Sequence, residues 1–134
     1  MDDDADPPLH PDDRATFDRL LQGLIEALPQ PWASRLAEVT VLVEDHPSAE
    51  LRASLGLPEG ETLLGLHEGV ADTELSVEHS GLLPPRIHLF RVPIWDEADA
   101  LDQPVETQIR ITLLHELGHQ FGMDEDDLAA EGFG

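Results

Sequence analysis

Three residues near the end of the chain carry the chemistry that the sequence most clearly suggests. His115 and His119 are four positions apart, and Glu116 directly follows the first of them, within the stretch TLLHELGHQFGMDEDD at residues 112–127. On an α-helix, residues four apart lie on the same side, so both imidazoles can bind one metal ion. Glu116 is rotated by about 100° from His115, next to the ligand pair. The pattern H-E-x-x-H is typical of a helix that holds a catalytic zinc ion and a general base.

A third ligand for such an ion is expected shortly after the helix, where the chain is rich in carboxylates. Gly122 is placed to end the helix in a left-handed turn, which lets the chain double back toward the histidines. Glu125 lies ten residues after His115, the spacing at which zincins of the H-E-x-x-H-x-x-G-x-x-H type place their third ligand. Asp124 and Asp126 are its neighbours and remain alternatives. The chain has no cysteine, so any metal must be held by His, Asp or Glu.

The composition indicates one acidic, globular domain. The chain has 134 residues, 40 % of them hydrophobic, and a formal net charge of −22 from 29 acidic and 7 basic residues. This length and hydrophobic content predict a single domain with a buried core. The negative charge repels phosphate and anionic lipid, which argues against nucleic acid or membrane partners. The sequence shows no signal peptide and no long apolar run, so a cytoplasmic protein is expected, with a monomer favoured.

Hydrophobic periodicity predicts the elements that position these residues. Residues 1–12 are rich in Asp and Pro and are expected to form a flexible acidic tail, followed by a single domain at residues 13–134. Apolar residues recur with helical spacing from Phe17 to Leu28, and a short helix is expected in HPSAELRASLG. Strands are predicted at residues 39–45, 62–67 and 85–95, the first of them buried.

The H-E-x-x-H pattern lies inside a helix with its own apolar pattern. This helix is expected to begin near Asp102, which can cap it, with Pro104 in the first turn. An apolar stripe with i+4 spacing would pack the helix into the core and leave the histidine side facing a cleft. The stripe consists of Val105, Ile109, Leu113 and Leu117.

Beyond this motif, the chain contains the successive blocks VTVLVED, LLGLHEGV and PPRIHLFRVPI ahead of LLHELGHQFGMDEDDL. Together they resemble the bacterial minimal zincin-like metallopeptidase family, whose motif reads H-E-x-x-H-x-x-G-x-x-D. The resemblance covers residues 14–130. It implies an α/β (α+β) fold in which a short mixed sheet packs against an active-site helix and an N-terminal helix. The family's aspartate at the third-ligand position falls on Glu125, whose side chain is one methylene longer.

The motif therefore predicts a zinc-dependent peptidase, with zinc held by His115, His119 and Glu125. Glu116 would act as the general base toward a metal-activated water that hydrolyses the peptide bond. The strand RIHLF resembles the edge strand beside the cleft in zincins, so a peptide or protein substrate is expected to pair along it near His88. The chain has no tyrosine, which leaves His88 or Arg110 as the candidate donor to the oxyanion.

Other interpretations fit the same residues. The histidines could form a surface pair without a metal, and two histidines with a carboxylate also accept iron, manganese or nickel. The protein could be a metal-binding zincin-fold module without proteolytic activity, acting in interaction or as a scaffold, or an acidic halophilic protein with a degenerate site. Glu116 separates a peptidase from a scaffold, because a scaffold needs the ligands but not the base.

Overall fold

The computed structural model describes residues 8–57, 62–68 and 85–122, and this part of the chain contains five helices and three short strands. These elements form an α+β fold, as predicted from the sequence. In chain order they are α1 (Pro11–Glu26), α2 (Trp32–Leu36), β1 (Thr40–Glu44), α3 (Ala49–Leu55), β2 (Gly65–Glu68), β3 (Arg86–Phe90), α4 (Arg91–Ala100) and α5 (Val105–Gln120).

The three strands form one mixed sheet in the order β1-β3-β2. β1 pairs parallel with β3, and β2 pairs antiparallel with its other side. The prediction that RIHLF forms an edge strand is therefore wrong, because β3 is hydrogen-bonded on both sides. Ile87, Leu89 and Phe90 are fully buried, which fits a central strand. Among the described strands, β1 and β2 occupy the edges.

Helix α5 packs against the sheet and forms the centre of the core. Ile109, Leu113 and Leu117 of the helix are fully buried together with Ile87 and Leu89 of β3. This confirms the apolar stripe predicted for the helix. Burying each such side chain stabilises the fold by roughly 1.5–3 kcal/mol, before the opposing loss of conformational entropy. Helices α1 and α2 pack on the same helix from outside, so α5 is held on several sides.

The strand predicted at residues 85–95 is shorter than expected and runs directly into a helix. β3 ends at Phe90, and α4 begins with the next residue. Pro93 is the third residue of α4, where its missing N–H is harmless because the first helical turn has no intrahelical acceptors for its donors. Ile94 and Ala98, one turn apart, are both fully buried. In the sequence RVPIWDEADA, this pair of apolar residues at i and i+4 is the feature that indicates a helix.

Both long helices begin at positions that differ from the prediction. α1 starts at Pro11, inside the segment expected to be a tail, and the imidazole of His10 accepts a hydrogen bond from the N–H of Asp12 at 3.1 Å. Residues 1–7 of that predicted tail lie outside the described residues. α5 is preceded by Pro104 at its N-cap rather than by Asp102. Asp102 has a φ of 55°, a left-handed conformation that belongs to the preceding turn.

The helix α2 (Trp32–Leu36) was not predicted from the sequence. The elements β1, β2 and α3 agree with the prediction in type and differ at their ends. β1 covers the predicted first strand but is half-buried rather than buried, because it lies at an edge of the sheet. β2 begins at Gly65, three residues later than predicted. α3 is the expected short helix, and the hydroxyl of Ser48 caps it by accepting from the N–H of Leu51 at 3.0 Å. Across the described ranges, no helix combines the length and the apolar character needed to cross a membrane.

Candidate metal and catalytic site

His115 and His119 lie in the last two turns of α5, and their imidazoles converge. The two Nε2 atoms are 3.1 Å apart, and the rings meet edge to face with centroids 4.6 Å apart. Two nitrogens bound at about 2.0–2.1 Å to a tetrahedral zinc ion lie roughly 3.3 Å from each other. The observed separation therefore fits two ligands of one zinc ion. Both side chains are half-buried, which leaves the pair accessible from one side.

The turn after α5 has the conformation that the sequence predicts. Gly122 has a φ of 86°, and its N–H donates to the carbonyl of His119 at 3.0 Å. A residue with a Cβ is strained in this left-handed region, so glycine suits the position. The helix thus ends at Gln120, one residue after the second histidine, and Gly122 turns the chain just before the stretch that contains the predicted third ligand.

The third ligand itself falls on a part of the chain that the structure does not describe. Glu125 and its alternatives, Asp124 and Asp126, all lie outside the described residues. Within residues 8–57, 62–68 and 85–122, no group of three or more His, Cys, Asp or Glu side chains is arranged to hold a metal ion. The described residues supply the histidine pair, which has the donor type and the spacing that zinc requires.

Glu116 is bound by a histidine that the sequence analysis did not select. Nδ1 of His67, on β2, lies 2.8 Å from Oε1 of Glu116. The side chain of Glu116 is 16 % exposed and that of His67 is 38 % exposed, so the contact is partly shielded from water. The hydrogen bond to Glu116 raises the pKa of His67, and partial burial of the imidazole opposes this effect. The ring of His67 also stacks on that of His119, with centroids 5.7 Å apart.

Gly65 allows β2 to lie directly against α5. A Cβ on Gly65 would be 3.0 Å from Cγ2 of Thr112, 3.1 Å from the backbone oxygen of His88 and 3.2 Å from Cγ of Glu116. A side chain larger than hydrogen therefore cannot fit without displacing a neighbour. Successive residues of a strand alternate between its faces, so Gly65 and His67 lie on the same face, toward α5.

His88 lies on the opposite face of the sheet. It alternates along β3 with Ile87 and Leu89, which face α5. Its Nε2 is 2.9 Å from Oε1 of Glu68, which also pairs with Arg86 at 3.3 Å. The hydrogen bond from His88 lowers the pKa of Glu68, assisted by the positive charge of Arg86. This position contradicts the predicted role of His88 as an oxyanion donor and as a marker of the substrate strand.

The last residue of α5 connects the helix to the sheet. Nε2 of Gln120 donates to the backbone oxygen of Glu68 at 2.7 Å, which ties the end of the helix to the end of β2. Gln120 is buried, so this bond is protected from competition with water. Arg110 is exposed on the same helix, and its predicted role toward the oxyanion stays a prediction.

A small mixed sheet packed on a helix that carries H-E-x-x-H places this chain in the zincin class of folds. The family model described as zincin-like metallopeptidase matches residues 36–133, which is well over half of the chain. The protein belongs to the zincin-like metallopeptidase family. This confirms the family to which the sequence blocks pointed.

The comparison with solved structures agrees on the fold. A conserved hypothetical protein from Thermo thermophilus is similar to this chain with a TM-score of 0.50 and 21 % sequence identity. The alignment covers 88 % of this chain and 98 % of that one. At this identity the similarity concerns the fold alone. Among curated proteins, no sequence matches this chain significantly.

Proposed function

We propose that this protein is a zinc-dependent peptidase in which His115, His119 and Glu125 hold the metal and Glu116 is the general base. The convergence of the two Nε2 atoms at 3.1 Å carries this proposal, because it provides a ready chelating pair next to a carboxylate. Membership in the zincin-like metallopeptidase family supports it. Glu125 enters through its position in the motif, with Asp124 and Asp126 as its competitors.

The side chains of the site have separate tasks in this proposal. A bound zinc ion would lower the pKa of a water molecule toward ~7 and polarise the carbonyl group of the substrate. Glu116 accepts the proton of the attacking water and passes it to the leaving amine. Its Oε1 is engaged by His67, so Oε2 is the oxygen that handles the proton. The buried residues Leu113 and Leu117 anchor the helix and keep the base and the ligands in register.

The substrate is proposed to be a peptide or protein in extended conformation. Since β3 is hydrogen-bonded on both sides, we place the substrate next to β2 rather than along RIHLF. β2 lies at an edge of the described sheet and contacts α5, so a peptide added there would run beside the histidine pair. The net charge of −22 favours substrates without clustered negative charge and disfavours nucleic acid and anionic membranes. A cytoplasmic location and a monomeric state stay predictions.

Metal content is the first measurement. The wild type, purified and exposed to zinc, is expected to hold about one zinc ion per chain, as a single set of three protein ligands requires. His119→Ala should lose it, and Glu125→Ala should hold much less. Loss in His119→Ala alone would transfer the third-ligand role to Asp124 or Asp126. A wild type that binds no zinc, with manganese, iron and nickel tested alongside, would refute the proposed site.

Glu116→Gln tests the reaction separately from metal binding. The variant is expected to keep its zinc and to lose about 10²–10⁴-fold in kcat on a peptide substrate, the usual contribution of a general base. Glu106→Gln is the matched control, because Glu106 is an exposed glutamate in the first turn of the same helix. Equal activity of Glu116→Gln and wild type would reject the assignment. Full zinc occupancy without cleavage by the wild type would favour a non-proteolytic metal-binding module.

A further inference from the structure

The side chain of Glu116 is held from two sides by a single strand. Gly65 approaches its Cγ so closely that an added Cβ would be 3.2 Å away. Two residues further along the same face, Nδ1 of His67 reaches Oε1 at 2.8 Å. β2 therefore contacts both the aliphatic part and the carboxylate of this glutamate. The two contacting residues are 51 and 49 positions away from Glu116 in sequence, so the motif alone does not provide them.

The contacts of Gly65 and His67 with Glu116 have a specific consequence if Glu116 is a general base. A glutamate side chain has three rotatable bonds, and one that points into a cleft loses entropy when it adopts a single reactive orientation. A hydrogen bond to one carboxylate oxygen supplies that orientation before the substrate arrives. The other oxygen keeps its lone pairs for the proton of the attacking water. The partial burial of Glu116, 16 % exposed, strengthens the bond by limiting competition from water.

We propose that His67 is a positioning residue for Glu116, with its Nδ1–H donating to Oε1 and leaving Oε2 for proton transfer. This role rests on the peptidase function proposed above, and it assigns His67 no contact with substrate or metal. A purely structural histidine at an edge strand would contribute to stability alone. A positioning histidine affects the rate of the chemical step while metal binding and substrate affinity are preserved.

Two substitutions of His67 separate these roles in the zinc-loaded protein. His67→Leu removes the donor and keeps a side chain of moderate size. It is expected to lower kcat about 10–100-fold, the cost of a misplaced catalytic group, with KM changed by less than about threefold and zinc content unchanged. His67→Asn carries an amide nitrogen close to the place of Nδ1, and it should recover most of the lost kcat. Unchanged kcat in His67→Leu, or His67→Asn no more active than His67→Leu, would overturn the proposal.

The tautomer of His67 gives a second readout that needs no activity. Nitrogen-detected NMR of the metal-free protein, at a pH where the histidines are neutral, is expected to place the proton of His67 on Nδ1. His10 is an internal reference, since its Nδ1 accepts from the N–H of Asp12 and its proton must therefore be on Nε2. In Glu116→Ala the proton of His67 should move toward Nε2. A wild-type His67 with its proton on Nε2 contradicts the proposed donation.

Activity measurements on the wild type, Glu116→Gln and His67→Leu together distinguish failure of this inference from failure of the proposed function. A zinc-loaded wild type that cleaves no peptide overturns the peptidase, and the positioning role falls with it. An active wild type in which Glu116→Gln is inactive but His67→Leu is not overturns the role of His67 alone.

Discussion

Replacing Gly65 with alanine would insert a methyl group between β2 and α5. The added Cβ would lie 3.0–3.2 Å from three atoms, of which the backbone oxygen of His88 belongs to the central strand and cannot rotate away. Relief therefore requires the strand and the helix to separate by a few tenths of an ångström. Overpacking of this kind costs about 1–3 kcal/mol. For a chain of this length, each kcal/mol lowers Tm by roughly 3–5 °C, so Tm should fall by about 3–15 °C.

Gly23→Ala is the matched control for this substitution. Gly23 lies inside α1, and a Cβ built there would have no atom within 4 Å. Alanine in a helix interior is more favourable than glycine by roughly 0.5–1 kcal/mol, so this variant should melt a few degrees higher than the wild type. Thermal unfolding followed by circular dichroism would show the same chemical change moving Tm in opposite directions. A Gly65→Ala variant that melts at or above the wild-type temperature would refute the close packing of β2 on α5.

Two other substitutions test the core and the charged face of the sheet. Leu113→Ala removes a fully buried side chain of α5 and should lower the free energy of unfolding by about 2–5 kcal/mol in urea titrations; a loss below ~1 kcal/mol would contradict its central place. Glu68→Gln tests the pKa of Glu68, which its hydrogen bond with His88 lowers. Since the folded pKa lies below the usual 4.5, the charged glutamate stabilises the protein above that pH, and this contribution is lost as pH falls through the folded pKa. The stability difference between wild type and Glu68→Gln should therefore shrink on acidification, and a difference that grows instead would contradict the pairing.

The sequence predicts α5 well because several independent signals agree there. Its apolar residues at i+4 spacing indicate that one side of the helix is buried, and Gly122 indicates a left-handed turn after the helix. The positions of the histidines relative to these apolar residues then determine on which side of α5 the imidazoles lie. Local signals are sufficient for this part of the site, because helix geometry relates residues three and four apart without reference to the rest of the chain.

The order of the strands in the sheet and the start of α4 cannot be predicted from such local signals. Alternation along RIHLF indicates a strand, but it does not say whether that strand has one partner or two, because pairing is a property of distant segments. The start of α4 was hidden for a related reason. The predicted strand ran to residue 95, through Pro93, although a proline in the first turn of a helix is equally compatible with its missing N–H. In both cases tertiary packing decided between local alternatives.

His67 shows why the motif alone is an incomplete description of the site. H-E-x-x-H fixes the relative positions of groups on one helix, and the orientation of the Glu116 carboxylate lies outside what helix geometry can fix. That orientation depends on β2, through a glycine that permits close approach and a histidine that supplies a donor. A chain that kept the motif but displaced β2 would keep its histidine pair and lose the contacts that orient the Glu116 carboxylate. In the proposed peptidase, metal binding and catalysis would therefore depend on different segments of this domain, and sequences that share only the motif need not share the activity.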